Sequence, residues 1–484
     1  MSEEGAPDGE GTAGPGGMPP AGVPDGSDGP AEVTATTRTA GPGGLPPAGA
    51  PDRRDGPADL PASAGTAGPG AFRRLLVATT SANLADGLQT VAVPWLASAV
   101  TRDPVQIALV TAATRIPWLL FSLPVGALTD RFDRRRLVGL AGLARAVLLL
   151  GFAFLLVLLG DVGSHAGGLL AGLYLLALLV GFAEVVGDNS AQTLIPSIVP
   201  RHRLATANGR LWAAETVANQ FVGPPLAGLL IGVGIALPFF VGAGGFAIAA
   251  AVVFTIAGSF RPPRPIGPPT RLTTEIAEGF RWLMRHRLLR SLAISLGVLN
   301  AASSLGAAVF VLFGQEVAGL DAAAFGLLMT GSAVGAVIGS FLAPWLTRRL
   351  APGTALALAV VTMGAGEIAF GVLSDFAWLW AVTLVIAIFI VVWNVITVSL
   401  RQSLIPDRLL GRVNSVYRFF GWGTIAVGTA LGGVLVWAAE PAVGREWALR
   451  LPFVLSGLLH FVLLAWAWPR INNEQIAKAG RQAV

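Results

Sequence analysis

Long apolar runs separated by short polar breaks fill the chain from residue 75 to residue 468. They fall near 75–98, 104–128, 137–159, 168–190, 207–231 and 235–257, and again near 290–313, 323–346, 353–373, 377–400, 412–437 and 450–468. At about 1.5 Å per residue, each is long enough as a helix to cross a hydrocarbon core of about 30 Å. Gly and Pro recur inside them. Membrane helices tolerate both, because neighbouring helices re-satisfy the backbone and small residues allow close packing. The pattern predicts an all-α polytopic membrane protein with 12 transmembrane helices, arranged as two six-helix halves. With 54% hydrophobic and 13% charged residues, the composition fits no soluble class.

The polar breaks differ in charge. Arg73, Arg74, Arg131, Arg134, Arg135, Arg136, Arg201, Arg203, Arg348, Arg349, Arg408, Arg412 and Arg470 lie in the even-numbered connections or at the termini. The opposite connections hold mainly Arg102, Asp103, Asp161, Asp321, Asp375, Glu440, Arg445 and Glu446. The positive-inside rule then places both termini in the cytoplasm. The same arginines account for the basic balance, a net charge of +5, so no nucleic-acid partner is implied and anionic lipid is the natural neighbour.

Outside the apolar runs the chain divides further. Residues 1–70 are rich in Gly, Pro and Ala and repeat with a period of 27, Thr12-Ala-Gly-Pro-Gly returning at Thr39 and Thr66. Each unit lacks apolar residues to bury, so this reads as a disordered cytoplasmic tail and not a solenoid, and it has no apolar signal-peptide core. Residues 71–260 form the first half, 261–289 a cytoplasmic linker, 290–470 the second half and 471–484 a short cytoplasmic tail. Within the linker, Thr273 or Thr274 can cap a helix that places Leu272, Ile276, Phe280 and Leu283 on one face, the pattern of a helix lying at a membrane surface.

The two halves share a text. Gln192-Thr-Leu-Ile-Pro196 returns as Gln402-Ser-Leu-Ile-Pro406, and each is followed by Arg-Leu and then Asn. Asn83 in the first run matches Asn300 in the seventh. Gly126-Ala-Leu-Thr-Asp130-Arg131-Phe-Asp-Arg134-Arg135 between the second and third runs resembles the signature loop of the major facilitator superfamily, with Asp133 where that family usually has Gly. Asn83-Leu-Ala-Asp86-Gly87, Arg115-Ile-Pro-Trp118, Trp393-Asn394, Arg401-Gln402 and Gly411-Arg412-Val-Asn414-Ser415 narrow the resemblance over residues 72–470 to the branch that holds the enterobactin exporter and macrolide efflux proteins. The resemblance implies proton-driven export of a small organic molecule by parallel halves that bind it near the bilayer midplane. It implies a conformational motif of Gly126, Asp130, Arg131, Arg134, Arg135, Asp188, Gly411 and Arg412, with Asp130 set against the start of the eleventh span and Arg134 bound to Asp188, contacts that hold the outward-open state and break when the inside opens. Gly223-Pro224-Pro225-x-x-Gly228 is similar to the antiporter motif of the fifth span, whereas the drug-antiporter arginine of the fourth span has no counterpart, since Leu173 to Val186 contains no basic residue.

Ionisable residues inside apolar runs cost about 2.5–3.5 kcal/mol or more to insert, so each is a candidate for function. They are Asp86, Arg115, Arg145, Glu184, Asp188, Glu215, Glu367 and Arg418. Asp86 and Arg115 sit midway along adjacent runs. They form a structural ion pair, or Arg115 tunes Asp86 as a protonation site. Glu184 and Asp188 share one face of the fourth span, and like charges so close favour taking up a proton. Glu184 aligns with Asn394 and Asp188 with Val398 in the second half, so proton coupling is expected of the first half, through Asp86, Glu184, Glu215 and Arg115. Trp118, Phe121, Gln220, Trp393 and Asn394 are candidates to line the solute cavity.

No G-x-x-x-x-G-K-[ST] phosphate loop is present, and Lys478 is the only lysine. No cofactor is expected, the proton motive force is the expected energy source, and no metal site is expected in a chain without cysteine. His165, His202, His286 and His460 are scattered, with no nucleophile and base set, so an enzyme or lipid-handling protein on this frame is the weakest reading. A proton-coupled importer is the rival from the same fold, because fold does not set direction. The expected location is the bacterial cytoplasmic (inner) membrane, with the chain working as a monomer. Reporter fusions after Arg136, Arg203 and Arg349 should sit in the cytoplasm, and fusions near Asp161 and Asp375 outside; the reverse pattern would overturn the orientation.

Overall fold

Helices follow the apolar runs. The computed structural model describes residues 70–129, 131–160, 163–261 and 272–483. The repeat-bearing tail, Asp130 and the Pro-rich part of the linker lie outside the described residues. The first half contains α1 (Ala71–Val100), α2 (Pro104–Thr129), α3 (Arg134–Leu159), α4 (Ala166–Ile198), α5 (Leu204–Glu215), α6 (Gly223–Val233) and α7 (Leu237–Phe254). The linker holds α8 (Leu272–Arg285). The second half contains α9 (Arg287–Ala307), the short α10 (Phe310–Leu312), α11 (Ala322–Arg349), α12 (Pro352–Val372), α13 (Phe376–Leu404) and α14 (Asp407–Ile471), followed by α15 (Asn473–Ala483).

Among the described residues, 10 helices are long and apolar enough to cross a membrane. The last of these breaks at Gly444, whose φ of +81° only glycine adopts at little cost, so α14 is two rods. With those two rods counted separately and the 30-residue α1 added, the set is consistent with 12 spans. α5 and α6 form one rod through a π-helical turn, Thr216–Val222. Its cause is local: Pro224 and Pro225 have no N–H, and the Gly223 N–H reaches back to the Ala218 carbonyl, a five-residue step. Leu158, Val233 and Phe341 are 83%, 81% and 77% exposed, as apolar side chains facing lipid should be.

Arginine side chains finish several helices by donating to carbonyls that the helix leaves unpaired. Arg135 donates to the Ile256 carbonyl (2.6 Å) and Arg74 to that of Thr255 (2.6 Å), both just past the end of α7. Arg450 donates to the carbonyls of Gly371, Val372 and Leu373 at the end of α12. His286 does the opposite job at the start of α9, where its Nδ1 accepts from the Leu289 N–H (3.3 Å). Burial pushes the His286 imidazole below its ordinary pKa, which keeps that nitrogen an acceptor. In α8 the buried line runs through Gly279 and Leu283, not Phe280, which is exposed: Gly279 lies against the backbone of Arg412, and Arg412 pairs with Glu278 at 2.5 Å. The carboxy-terminal tail is helical over Asn473–Ala483, and Asn473 accepts from the Gly353 N–H (2.7 Å) to hold α15 against the start of α12.

The halves meet through α2 with α14 and through α6 with α11. Both contacts are backbone to backbone. A Cβ on Gly228 would lie 2.2 Å from the Ala322 carbonyl oxygen, one on Gly326 would lie 2.3 Å from that of Pro224, and one on Gly433 would lie 2.7 Å from that of Pro104. A polar network staples the same end. Arg445 pairs with Glu316 (2.9 Å) and donates to the Arg102 carbonyl (2.8 Å); Arg102 donates to Gln315 (2.5 Å), which donates to Ser98 (2.9 Å). The apolar core common to both halves lies here as well, joining Leu96, Ile107 and Phe239 to Val311, Phe325 and Val436. Towards the other end, among the described residues, each half keeps a core of its own.

A side chain at Gly228 must therefore push the halves apart. Gly228→Val should lower stability in detergent by about 1–3 kcal/mol, while Gly232→Ala, with nothing within 4 Å of the added atom, should be silent. Thermal unfolding of both purified variants checks this, and equal midpoints would count against the contact.

Candidate functional site

Three helices bring charge together inside the first half. Asp86 on α1, Arg145 on α3 and Glu184 on α4 form one cluster in which Arg145 donates to Asp86 and its guanidinium lies 3.8 Å from Glu184. Arg145 is 5% exposed and lies over the Phe246 ring at 3.8 Å. Its Nε has no partner, so the guanidinium is held by its outer nitrogens alone. Asp86 is placed by its neighbour: Gly87 sits in backbone contact with Asn219 and Gly223, which pulls α1 against the π turn. Glu184 accepts a hydrogen bond from the Trp118 indole N–H (3.2 Å), and the Trp118 ring stacks on Trp422 of α14 at 5.5 Å and 19°. Asp188 and Glu215 are exposed side chains within electrostatic reach of Asp86.

One sequence expectation is corrected here. Arg115 is not the partner of Asp86; it lies over Trp422, 5.9 Å from the ring centroid, and Arg145 takes the pairing instead. Both arginines sit mid-span, but only α3 turns its arginine towards α1. Arg134, expected to bind Asp188 in the outward-open state, is not paired with it in this conformation. It donates to the Thr193 carbonyl (3.0 Å) and towards Ser197 (3.5 Å), more than a turn nearer the end of α4 than Asp188. Asp133 caps α3 by accepting from the Arg136 N–H (3.1 Å) and from the Phe260 N–H (3.0 Å). With φ of −65° it occupies a position that needs no glycine. Arg131 is exposed. The proposed contact of Asp130 with Gly411 lies outside the described residues, and so do the surroundings of Gly126. Gly223, Pro224 and Gly228 of the antiporter-like motif form the inter-half contact described above.

The second half holds a cavity of about 370 Å³. Trp393 and Asn394 line it; Asn300, Arg401, Tyr417 and Trp422 complete its polar and aromatic walls. Trp118 reaches the cavity only through its stack on Trp422, Phe121 packs edge-on against Phe182 (5.0 Å) and Gln220 is exposed on the π turn, so these three do not line it. Glu367, not placed by sequence, is buried on α12. Among the described residues no cluster of His, Asp or Glu could hold a metal ion.

The family model for transmembrane secretion effectors matches residues 67–479. The chain belongs to that family of major facilitator transporters. Enterobactin exporter EntS of Citrobacter koseri is 27% identical over 410 residues, 81% of this chain and 92% of the exporter. Its Escherichia coli counterpart is 27% identical over 423 residues, 85% and 96% of the two chains. Among solved structures, the nucleoside transporter NupG superposes with a TM-score of 0.67 at 13% identity, covering 82% of this chain and 99% of NupG. A bacterial homologue of the lysosomal transporter Spinster, inward-facing and unoccupied, gives 0.65 at 16% identity, covering 84% and 97%. These neighbours show the major facilitator fold. As a member of the secretion-effector family the chain is a multi-pass membrane transporter of small molecules and not an enzyme.

The geometry makes the partner of Asp86 measurable. A double-mutant cycle on unfolding stability should give a coupling of about 1–3 kcal/mol between Asp86→Asn and Arg145→Met, and about zero between Asp86→Asn and Arg115→Met. Arg145→Met alone should be the most damaging change, because it strands a half-buried carboxylate.

Proposed function

We propose that this transporter exports a small organic molecule across the bacterial cytoplasmic (inner) membrane in exchange for protons, by alternating access. The observation that supports this best is the Glu184–Trp118–Trp422 chain of contacts, which ties the acidic cluster of the first half to the cavity wall of the second. The EntS relatives are exporters by name, which favours the outward direction. One cation, Arg145, faces Asp86 and Glu184, with Asp188 and Glu215 near. The set holds more negative charge than its partner balances unless it also takes up protons.

The arginine asymmetry puts the Arg131 end in the cytoplasm. The stapled end is then the outside, and the conformation is open inwards, with the acids and the cavity reached from the cytoplasm. Outward opening has to break the Arg445–Glu316 and Gly228–Ala322 contacts. Energetics allow one-for-one exchange: a proton entering through about 150 mV releases roughly 3.5 kcal/mol, and a hundredfold gradient of a neutral solute needs about 2.7 kcal/mol. No other cofactor is required, and one chain supplies both halves of the path, so a monomer suffices.

Glu184→Gln tests the reading. Gln keeps an acceptor for the Trp118 indole but carries no titrating proton. In liposomes the variant should bind solute as the wild type does, retain downhill exchange and lose uphill export driven by a pH gradient. Full coupling in this variant would sink the assignment to Glu184 and turn attention to Asp86 and Glu215.

A further inference from the structure

Most arginines of the two halves for which the structure shows a partner at depth have it in a carboxylate or a helix-end carbonyl. Arg145 has Asp86 and Glu184, Arg450 has Glu446 and the end of α12, and Arg134 and Arg135 have the ends of α4 and α7. Arg401 of α13 differs. It is half-buried, its Nε is enclosed without a hydrogen-bond partner, and among the described residues no carboxylate lies within ion-pair distance. What holds it is the face of Tyr417, 4.5 Å from the guanidinium carbon. It lines the cavity of about 370 Å³ with Trp393 and Trp422, while Asn300, Asn394 and His460 supply further polar groups.

We propose that Arg401 is the anion-recognition residue of this cavity and that its ligands are planar aromatic solutes bearing an acidic group. A partly desolvated guanidinium facing apolar walls is costly until an anion meets it. Its planar fork suits a carboxylate or similar oxyanion with two parallel hydrogen bonds. Trp393 and Trp422 supply an aromatic wall for a flat solute beside that charge. Arg115, over Trp422 from the first half, adds positive potential on the same side. The volume falls within the range of pockets for drug-sized ligands.

This inference rests on the reading that the cavity receives the exported solute, and its test is run at equilibrium without a proton gradient, so that loss of coupling and loss of recognition separate. Equilibrium dialysis of the purified full chain in detergent would use radiolabelled naphthalene-2-carboxylate and its neutral isostere naphthalene-2-carboxamide. The wild type should bind the carboxylate about tenfold or more tighter than the carboxamide. Arg401→Gln should abolish that preference and leave carboxamide binding within about twofold. Arg401→Lys, which keeps the charge without the fork, should retain an intermediate preference, and it decides the matter if the Gln variant cannot be purified folded. Equal affinity of the wild type for the two probes, no binding of either, an anion preference that survives in Arg401→Gln or Arg401→Lys undiminished, or a parallel loss of both probes would each overturn the proposal. If the preference behaves as expected while Glu184→Gln still couples fully, the proton assignment fails alone.

Discussion

Helices in lipid gain nothing from hiding apolar surface from one another, so they associate only where backbones can come close. Glycine provides that approach at the decisive crossings here. Gly87 and Gly223 bring α1 onto the π turn; Gly228, Gly326 and Gly433 bring the two halves together at one end. Everything polar is arranged around those crossings. Asp86 precedes Gly87 in the chain and is carried with it towards Arg145. The Arg102, Gln315, Glu316 and Arg445 network forms where the backbones already touch. The contacts lie at one end and leave each half its own core at the other, the geometry of a gate shut on one side.

The second organising constraint is the disposal of arginine charge. A chain with almost no lysine uses guanidinium groups for several tasks that differ in partner. Some finish helices by meeting carbonyls, some pair with acids across helices, and some rest on aromatic rings. The guanidinium fork suits all three, because it donates in several directions and stacks as a plane. At Arg145 the acid pairing and the ring contact occur together, which allows a cation to stay deep in the first half.

Periodicity and charge revealed the class of protein because they report depth in the membrane. The apolar runs, the repeated Gln-x-Leu-Ile-Pro text and the signature arginines all state how far along a span a residue lies. They do not state which way it faces. Arg115 and Arg145 are both mid-span, and only the packing of α3 against α4 and α7 decides that Arg145 meets Asp86. Arg134 was matched to Asp188 by family resemblance, for the outward-open state; the Thr193 carbonyl that it meets in this conformation is a backbone group every residue has, which no sequence pattern marks. The cavity illustrates the same limit: Trp393 and Asn394 were recognised by composition, but Tyr417, Trp422 and Arg401 join them through helix rotation. Asp133 could have been found, because an Asp three residues before Arg136 at a helix start is a capping signal.

The stacked pair Trp118 and Trp422 works as a two-ended lever. One end is hydrogen-bonded to Glu184, the other is a wall of the solute cavity, and the joint crosses between the halves. Whatever the charge on Glu184 does to the position of the indole, the wall at Trp422 feels. On the proposed reading, in which Glu184 exchanges a proton and the cavity receives the solute, thermodynamic reciprocity requires each event to alter the other by the same free energy. The two events need no common ligand and no direct contact, only a pair of rings that move as one plate.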